Sequence, residues 1–447
     1  MSTLLGIVLV LGVMILVHEW GHFAMARLFK VRVDVFSIGF GPRLFGWKRG
    51  ATDYRISALP LGGYVRMAGQ DLSEVDSGER PPTGAPDELM SKPRWQRALI
   101  SFAGPAVNLV FPILLLTGLY TIKGEPYPAY LDTPLQVVGV PPAKAAAKPY
   151  PLRTGDKIVA MDGIQNPTWE QADRILANSV PGSHTALEVE NSDGRRKVEL
   201  ELPGKDSEQI AQVFGYPPIA PVIDDVSPGL PADRAGLQVG DKIVSVNEQE
   251  IQLWGQFVDR VRSSGGAPVV LGVARKGQTK QLTVTPEKEA MPRGDPAYVI
   301  GVVVKDDYRY HPMPFAQAVS VAATRTGETI AATVGVVGKL VSGKVSIKQL
   351  QGPVAIGSEA GKAVKRGSVS VIFLMVVISI NLGILNLLPI PILDGGNILL
   401  LAIEGGLRRD LSLAFKERYI QVGLVFLLVL FAIVMYHDVL RRLPIHS

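Results

Sequence analysis

The sequence predicts a polytopic α-helical membrane protein with four transmembrane helices and a large water-soluble part. Charged residues make up only 19% of the 447 residues, against about 25% in an average soluble protein. Four long stretches contain no Asp, Glu, Lys, Arg or His: residues 1–17, 98–122, 367–393 and 419–436. The mean hydropathy is nevertheless only +0.22, so most of the chain is expected to lie in water.

The first apolar stretch is the shortest of the four. An α-helix needs about 20 residues to cross a hydrocarbon core of about 30 Å, so this stretch spans only if the helix continues past His18. A secretory signal peptide is the alternative, because residues 24–26 resemble a small-residue cleavage site. No Lys or Arg precedes the apolar run, however, and charged residues at 18–22 separate it from that site. We predict transmembrane helices at residues 1–27, 98–122, 367–394 and 419–437.

Basic residues near the ends of these helices predict the orientation. Residues 27–97 contain 12 Lys and Arg, and residues 394–418 contain four. An excess of Lys and Arg marks the cytoplasmic side of a membrane. Both basic segments are therefore expected in the cytoplasm, and both termini and residues 123–366 on the outer side.

The segments between the predicted spans have patterns of their own. Residues 32–67 alternate apolar with small or polar residues between Gly-Pro turns, which indicates short β-hairpins against the membrane. Acids, prolines and glycines at 71–93 predict a mobile loop. Residues 314–341 have a helical pattern with a few charges, typical of a surface helix. We assign a cytoplasmic-side β-hairpin element and loop to residues 28–97, an outer-side amphipathic helical region to 307–366, a cytoplasmic loop to 395–418 and an outer-side tail to 438–447.

An internal repeat lies in the outer region. Residues 152–163 are echoed by residues 237–248 at an offset of 85, and Trp169 matches Trp254 at the same offset. A period this long predicts two small domains, since solenoid repeats are usually about 20–50 residues long. The Leu-x-x-Gly-Asp-x-Ile turn followed by an alternating strand resembles the PDZ domain, which binds extended peptides at a sheet edge. Two structural spacers without a ligand are the alternative. We place PDZ-like α+β domains at residues 126–205 and 214–306.

A metal-binding pattern lies near the end of the first predicted span. His18 and His22 are four residues apart, so both imidazoles project from one face of a helix and can bind one metal ion. Glu19, beside the first of them, can act as general base on an attacking water. The chain contains no cysteine, which excludes thiolate sites. The alternative is a polar cluster that caps a spanning helix, although ionisable groups at membrane depth are seldom kept without a function.

A third metal ligand is expected at the end of the third span. A hydrolytic zinc site needs three protein ligands and one open position. Asp394 follows a charge-free span that enters from the outer side, as the first span does, so it reaches the membrane depth of the two histidines. Pro389 and Pro391 cannot continue regular helical hydrogen bonding, which predicts unwound backbone lining a cavity. A helix-end residue before a Gly-Gly turn is the alternative role for Asp394.

Together these motifs resemble the site-2 protease family of intramembrane zinc metalloproteases. The likeness covers nearly the whole chain: His-Glu-x-x-His in the first span, Asn-x-x-Pro-x-Pro-x-Leu-Asp-Gly in the third, and a tandem PDZ pair between the second and third. It implies a Zn²⁺ cofactor held by His18, His22 and Asp394, with Glu19 as catalytic base. It also implies that Asn386 and Asn381 contact or position a substrate strand near the bend at Pro389 and Pro391.

Further expectations follow from the resemblance. The motif Gly-Pro-x-x-Asn at 104–108 implies close packing behind the site, and the hairpins at 32–67 imply a surface that receives the substrate as an extended strand. The metal identity depends on the family, since a His₂Asp site also accepts iron or cobalt.

The resemblance also implies a place and a substrate class. The place is the bacterial inner membrane, with both termini and the PDZ pair in the periplasm and the active site near the cytoplasmic leaflet. The substrates are single-span membrane proteins already trimmed outside, notably an anti-sigma factor in envelope stress signalling, and also leftover signal peptides. The PDZ pair would gate their access.

Two other classes of function remain open on the sequence. One is a non-catalytic PDZ membrane scaffold, and the other is a divalent-metal carrier, which should show inverted repeats that this chain lacks. The net charge of +5 is small for this length and clusters beside apolar segments, so the expected partner is the lipid bilayer and not nucleic acid.

Overall fold

The computed structural model describes residues 2–70, 83–140, 151–180, 182–202, 213–289, 296–343 and 352–440. Its residues form two compact units. The first unit comprises Met1–Glu125 together with Pro312–Ser447, and the second is Pro126–His311. Residues 71–82 of the predicted mobile loop, 344–351 of the outer helical region and 441–447 of the tail lie outside the described part.

The N-terminal part of the first unit consists of two long helices and a β-hairpin. Its elements are α1 (Ser2–Leu28), β1 (Val33–Arg49), β2 (Thr52–Met67) and α2 (Arg94–Ile122). The two strands pair antiparallel with several irregularities. Gly39 and Gly41 inside β1 have φ angles of 90° and 85°, so the Gly-Pro pair bends the strand and does not end it. Residues 35–38 pair with 63–66 on one side and with 53–56 on the other, while residues 43–49 pair with 52–57, so the two strands fold back on each other in short segments.

The second unit contains two four-stranded sheets built on the same plan. Its elements are β3 (Glu125–Pro128), β4 (Lys157–Met161), β5 (Ile164–Gln165), α3 (Trp169–Ala177), β6 (Ser183–Asn191), β7 (Gly194–Leu202), β8 (Ile223–Val226), α4 (Pro231–Arg234), β9 (Lys242–Val246), β10 (Gln249–Glu250), α5 (Trp254–Ser263), β11 (Val269–Arg275), β12 (Gln278–Val284), β13 (Glu287–Glu289), β14 (Ala297–Val299), β15 (Val302–Val304) and β16 (Tyr308–His311). The sheet orders are β5-β4-β6-β7 and β10-β9-β11-β12. Helices α3 and α5 contribute to the two separate apolar cores.

The repeated Gly-Asp pair has the same local role in both sheets. Asp156 accepts a hydrogen bond from the backbone N–H of Arg153 at 2.7 Å, and Asp241 accepts one from the N–H of Gln238 at 2.8 Å. Both carboxylates are almost completely buried. Each also pairs with an arginine of its own sheet, Arg196 and Arg275 respectively. The sequence repeat therefore reflects a repeated turn that closes on a buried ion pair.

In the described residues from 315 onward, the regular elements of the first unit are all helices. Its elements are α6 (Phe315–Val341), α7 (Pro353–Arg366), α8 (Ser368–Asn386), α9 (Asp394–Leu407) and α10 (Leu413–Leu440). Helix α6 packs along α2 and α8, where Ala318 and Ala322 are fully buried. Helix α9 occupies most of the segment expected as a cytoplasmic loop. The third span ends at Asn386, before the first proline of the bend.

Three helices of the described part are long and apolar enough to cross a membrane. They are α2, α8 and residues Ala414–Leu440 of α10. This confirms the coarse prediction of a membrane protein with β elements. Helix α1 covers the first predicted span, and its status as a fourth transmembrane helix stays a prediction, as does the PDZ assignment of the two sheets.

Candidate metal centre

The two histidines of the sequence motif lie side by side on α1. Their Nε2 atoms are 3.2 Å apart, as the spacing of four residues along a helix predicts. His18 is 7% exposed. Both imidazoles therefore direct the same nitrogen to one point.

Asp394 completes a cluster of three donors. Its Oδ2 lies 3.2 Å from Nε2 of His18, and its Oδ1 lies 3.4 Å from Nε2 of His22. With bonds of about 2.0–2.2 Å to a tetrahedral metal ion, neighbouring ligand atoms are about 3.3–3.6 Å apart. The two Asp394 distances involve different oxygens of its carboxylate, and one ligand atom from each of the three residues lies within 4.8 Å of the other two, so these side chains can converge on one metal ion. Among the described residues, this is the one cluster of His, Asp and Glu that could hold a metal ion.

A tight turn brings Asp394 to the histidines. The N–H of Leu393 donates to the carbonyl of Ile390 at 3.2 Å, with Pro391 and Ile392 at the two central positions. Ile392 has a φ of 79°, in the region that a type II turn normally reserves for glycine. A β-branched residue in this conformation is strained.

The Gly-Gly pair after Asp394 has a steric reason. A Cβ on Gly395 would lie 2.3 Å from the carbonyl oxygen of Leu387, and a Cβ on Gly396 would lie 2.1 Å from that of Ile390. Side chains at either position would push the turn away from the start of α9. Asp394 lies in the first turn of that helix, where the helix dipole favours a negative charge.

The distal nitrogens of both imidazoles have partners that orient the rings. Nδ1 of His22 donates to the backbone carbonyl of Ile100 at 2.8 Å. Nδ1 of His18 is 3.2 Å from the amide nitrogen of Asn108, whose amide oxygen is buried without a partner. Exchanging the oxygen and nitrogen of this amide lets the oxygen accept from His18 Nδ1–H, because the two atoms are assigned from their contacts. That pairing leaves His18 Nε2 free to bind a metal.

Two glycines allow α1 and α2 to approach closely at the histidines. A Cβ on Gly21 would lie 2.5 Å from the carbonyl oxygen of Ala103. A Cβ on Gly104 would lie 2.3 Å from Nε2 of His22 and 2.9 Å from Cε1 of His18. The Gly-Pro-x-x-Asn motif therefore does more than permit packing: Gly104 leaves room for the donors, and Asn108 orients one of them.

Glu19 lies between the metal donors and the β-hairpin. The nearest part of the hairpin is at Gly63, where a Cβ would lie 3.1 Å from Cγ of Glu19. Unlike the buried His18, Glu19 is partly exposed, so it can meet water.

The other predicted site residues are distributed around the bend. The amide nitrogen of Asn386 is 3.3 Å from Nε2 of His18, so its side chain is next to the donors. Asn381 instead contacts Oγ1 of Thr333 on α6 at 3.5 Å. Pro389 is exposed, whereas Pro391 is partly buried against α10. The structure thus brings Asn386 to the donors and places Asn381 beside α6.

The match to a family of known proteins covers most of the chain. The model of peptidase family M50 matches residues 6–430. The chain belongs to peptidase family M50. It is similar to the regulator of sigma-E protease RseP of Escherichia coli, with 34% identity over 97% of each chain. It is also similar to putative zinc metalloproteases of Vibrio cholerae (31% identity over 97% of each chain) and Neisseria meningitidis (28% identity over 99% of this chain and all of the relative).

Family M50 membership makes this chain a membrane zinc metalloprotease. The expected resemblance to site-2 proteases is confirmed. The donor set agrees with zinc chemistry, because two imidazoles and one carboxylate leave one tetrahedral position open, as catalytic zinc sites do.

Proposed function

We propose that the chain is an intramembrane endopeptidase that cleaves the transmembrane segments of single-span proteins. His18, His22 and Asp394 hold the zinc ion, and Glu19 is the catalytic base. The observation that carries this proposal is the convergence of three donor side chains, 3.2–3.4 Å apart, at the end of an apolar helix. A scaffold needs no such geometry.

The residues around the donors have separable roles in peptide hydrolysis. A zinc ion bound by these side chains supplies Lewis acidity toward water and the scissile carbonyl. Glu19 takes the proton of the attacking water and delivers it to the leaving amine. Asn386, next to the donors, can donate its amide N–H to a substrate carbonyl.

The substrate must be unwound before it is cut. A peptide bond within a transmembrane helix is shielded by the hydrogen bonds of that helix, and exposed backbone groups are costly in lipid. The β1–β2 element offers replacement partners, since residues 63–66 of β2 pair with residues 35–38 on one side and so form a sheet edge to which an extended strand can add. Its strand β2 runs beside Glu19, which favours capture close to the catalytic base.

The proposal also covers the class of substrate and the location of the protein in the cell. The relative named regulator of sigma-E protease RseP suggests an anti-sigma factor as substrate, in the inner membrane of a bacterium. Leftover signal peptides have the same single-span character. Both termini and the two PDZ-like sheets lie in the periplasm, the metal centre lies near the cytoplasmic leaflet, and the sheets gate access by size.

The test of the proposed chemistry is Glu19→Gln. In reconstituted membranes with a tagged single-span substrate, we expect cleavage to fall by about 10²–10⁴-fold, the contribution typical of a positioned acid–base group. Bound zinc should be retained, because Glu19 is not among the donors. The matched control is Glu328→Gln, at an exposed carboxylate of α6, which should cleave normally. Undiminished cleavage by Glu19→Gln with zinc still bound would reject the protease mechanism.

A further inference from the structure

The turn that carries Asp394 does not hold its conformation by local preference. Ile392 adopts a φ of 79°, which its branched side chain disfavours. Strained residues of this kind persist only where the surrounding structure determines their conformation. Some other part of the molecule must therefore keep the turn in place.

One face of α10 contacts this turn and the helix that follows it. Lys416, Tyr419 and Gly423 are three and four residues apart, so they share one face. The backbone of Gly423 packs against Pro391, where an added Cβ would lie 2.3 Å from the proline Cβ and 2.8 Å from its carbonyl oxygen. The hydroxyl of Tyr419 donates to the carbonyl of Gly396 at 3.1 Å.

The third contact of this face is an ion pair. Nζ of Lys416 lies 3.1 Å from Oε1 of Glu404, a residue of α9 that is fully buried. Glu404 also accepts from the backbone N–H of Leu411 at 3.0 Å and faces the guanidinium of Arg97 at 3.7 Å. Helix α9, which begins with Asp394, is thus attached to both α2 and α10.

The rest of α10 is packed very little. Only 6% of an apolar 18-residue segment of this helix is buried within the protein. At its far end, Asp438 accepts from the backbone N–H of Ala355 at 3.0 Å, near the start of α7. The contacts described here lie near the two ends of α10, and those near its N-terminus reach Pro391 and Gly396, on either side of Asp394, and Glu404 further along α9.

We propose that the face of α10 formed by Lys416, Tyr419 and Gly423 is a positioning surface for the third zinc ligand. It presses the strained turn against α9 and so fixes the carboxylate of Asp394 at the two imidazoles. Their contacts described above are with Pro391, Gly396 and Glu404, which are not metal donors, so the three residues act through the turn and α9. This inference rests on the proposed ligand set.

The first test compares glycine-to-alanine variants of the full-length protein in detergent. Gly423→Ala must displace Pro391, and we expect its zinc affinity, measured by chelator competition, to fall by about 10–100-fold, as for other groups that orient ligands. The matched control is Gly327→Ala on α6, where nothing lies within 4 Å of the new Cβ; its zinc affinity should equal that of the wild type. Wild-type affinity in Gly423→Ala overturns the proposal.

A second variant separates positioning from general packing. Ile392→Gly removes the strain, so the turn no longer depends on α10. In the Tyr419→Phe background, which loses one contact and gains no clash, it should restore most of the lost zinc affinity and return the visible absorption of the cobalt-substituted protein to the wild-type shape. A double variant with the affinity and spectrum of Tyr419→Phe alone would overturn the proposal. Tyr419→Phe, which removes one hydroxyl, covers the case in which Gly423→Ala fails to fold, and it should weaken zinc binding also.

Asp394→Asn distinguishes failure of this inference from failure of the ligand set. If Asp394→Asn weakens zinc binding and the α10 variants do not, the ligand set stands and the positioning role is rejected. If Asp394→Asn binds zinc as tightly as the wild type, Asp394 is not a ligand and the proposed site itself is rejected.

Discussion

At the scale of single residues, the geometry of the metal centre depends on a glycine, Gly104. Gly104 faces both histidines, and its hydrogen occupies the place where a methyl group would meet His22 Nε2 at 2.3 Å. We expect Gly104→Ala to lose zinc binding and cleavage together, because the imidazole must turn away from the shared point. Zinc content after purification and substrate cleavage measure this. Gly118→Ala, on the same helix with open space around the new Cβ, should retain both; a zinc-replete Gly104→Ala would contradict the geometry.

A second prediction at this scale concerns Asn108. It is fully buried and adjacent to His18. Asn108→Leu removes the partner of His18 Nδ1 and should weaken zinc affinity by about 10–100-fold. Asn108→Asp keeps an acceptor and should stay near the wild type. Equal zinc affinity of the leucine and aspartate variants would show that Asn108 only fills space.

The sequence was sufficient to single out the three side chains that the structure brings together, His18, His22 and Asp394. The spacing of His18 and His22 is a local helical property, and the depth of Asp394 follows from counting spans. The roles of Gly104 and Asn108 in the donor geometry, the carbonyl of Ile100 and the left-handed Ile392 were not predicted, because each depends on how close two helices or a turn approach in three dimensions. Asn108 could be singled out from the sequence because it belongs to a recognised motif, whereas the role of a backbone carbonyl leaves no pattern in the sequence.

At the scale of elements, the repeated Gly-Asp turn predicts a pH dependence. Burial by itself would raise the pKa of the Asp241 carboxyl, but hydrogen bonds from Arg275 and from the N–H of Gln238 outweigh it and hold the pKa below its ordinary value. A lowered folded pKa means that the ion pair stabilises the fold above the unfolded pKa of about 3.9, and that this stabilisation is lost as pH falls through the folded pKa.

The expected outcome is local loosening in acid. Amide hydrogen exchange in β9 and β11 should accelerate, beyond the change in intrinsic exchange rate, as pH is lowered from about 5 to about 3. Asp241→Asn should exchange faster already at neutral pH and respond less to acid. Asp193→Asn, at an exposed carboxylate, should behave as the wild type. An acid response that Asp241→Asn leaves unchanged would assign the effect to other groups.

The ends of the helices show which features a sequence pattern does not predict. Helix α10 begins at Leu413, before the charge-free stretch from 419 that predicted the fourth span, and within this extension Lys416 pairs with the buried Glu404. The same ion pair attaches α9, which was expected as a loop. Charge counting detects where a segment leaves lipid, but it cannot detect a charge that is neutralised by a partner distant in the sequence.

At the scale of the whole molecule, the proposed function assigns catalysis to the first unit and gating of substrate access to the second. Deleting Pro126–His311 should let the enzyme cleave a single-span substrate whose outer domain is intact, because the PDZ-like sheets no longer exclude it. Blotting for the tagged product measures this, and cleavage of a trimmed substrate by the same variant shows that its active site is formed. A deletion variant that cuts trimmed substrate and still spares the untrimmed one would count against gating.

The central claim is that His18, His22 and Asp394 together bind the zinc ion. X-ray absorption at the zinc edge of the purified protein tests it most directly. We predict two imidazole nitrogens and one carboxylate oxygen at about 2.0–2.2 Å, with an open position taken by water, and loss of the carboxylate oxygen from the first coordination sphere in Asp394→Asn. A zinc ion whose coordination is the same in the wild type and in Asp394→Asn would contradict the account.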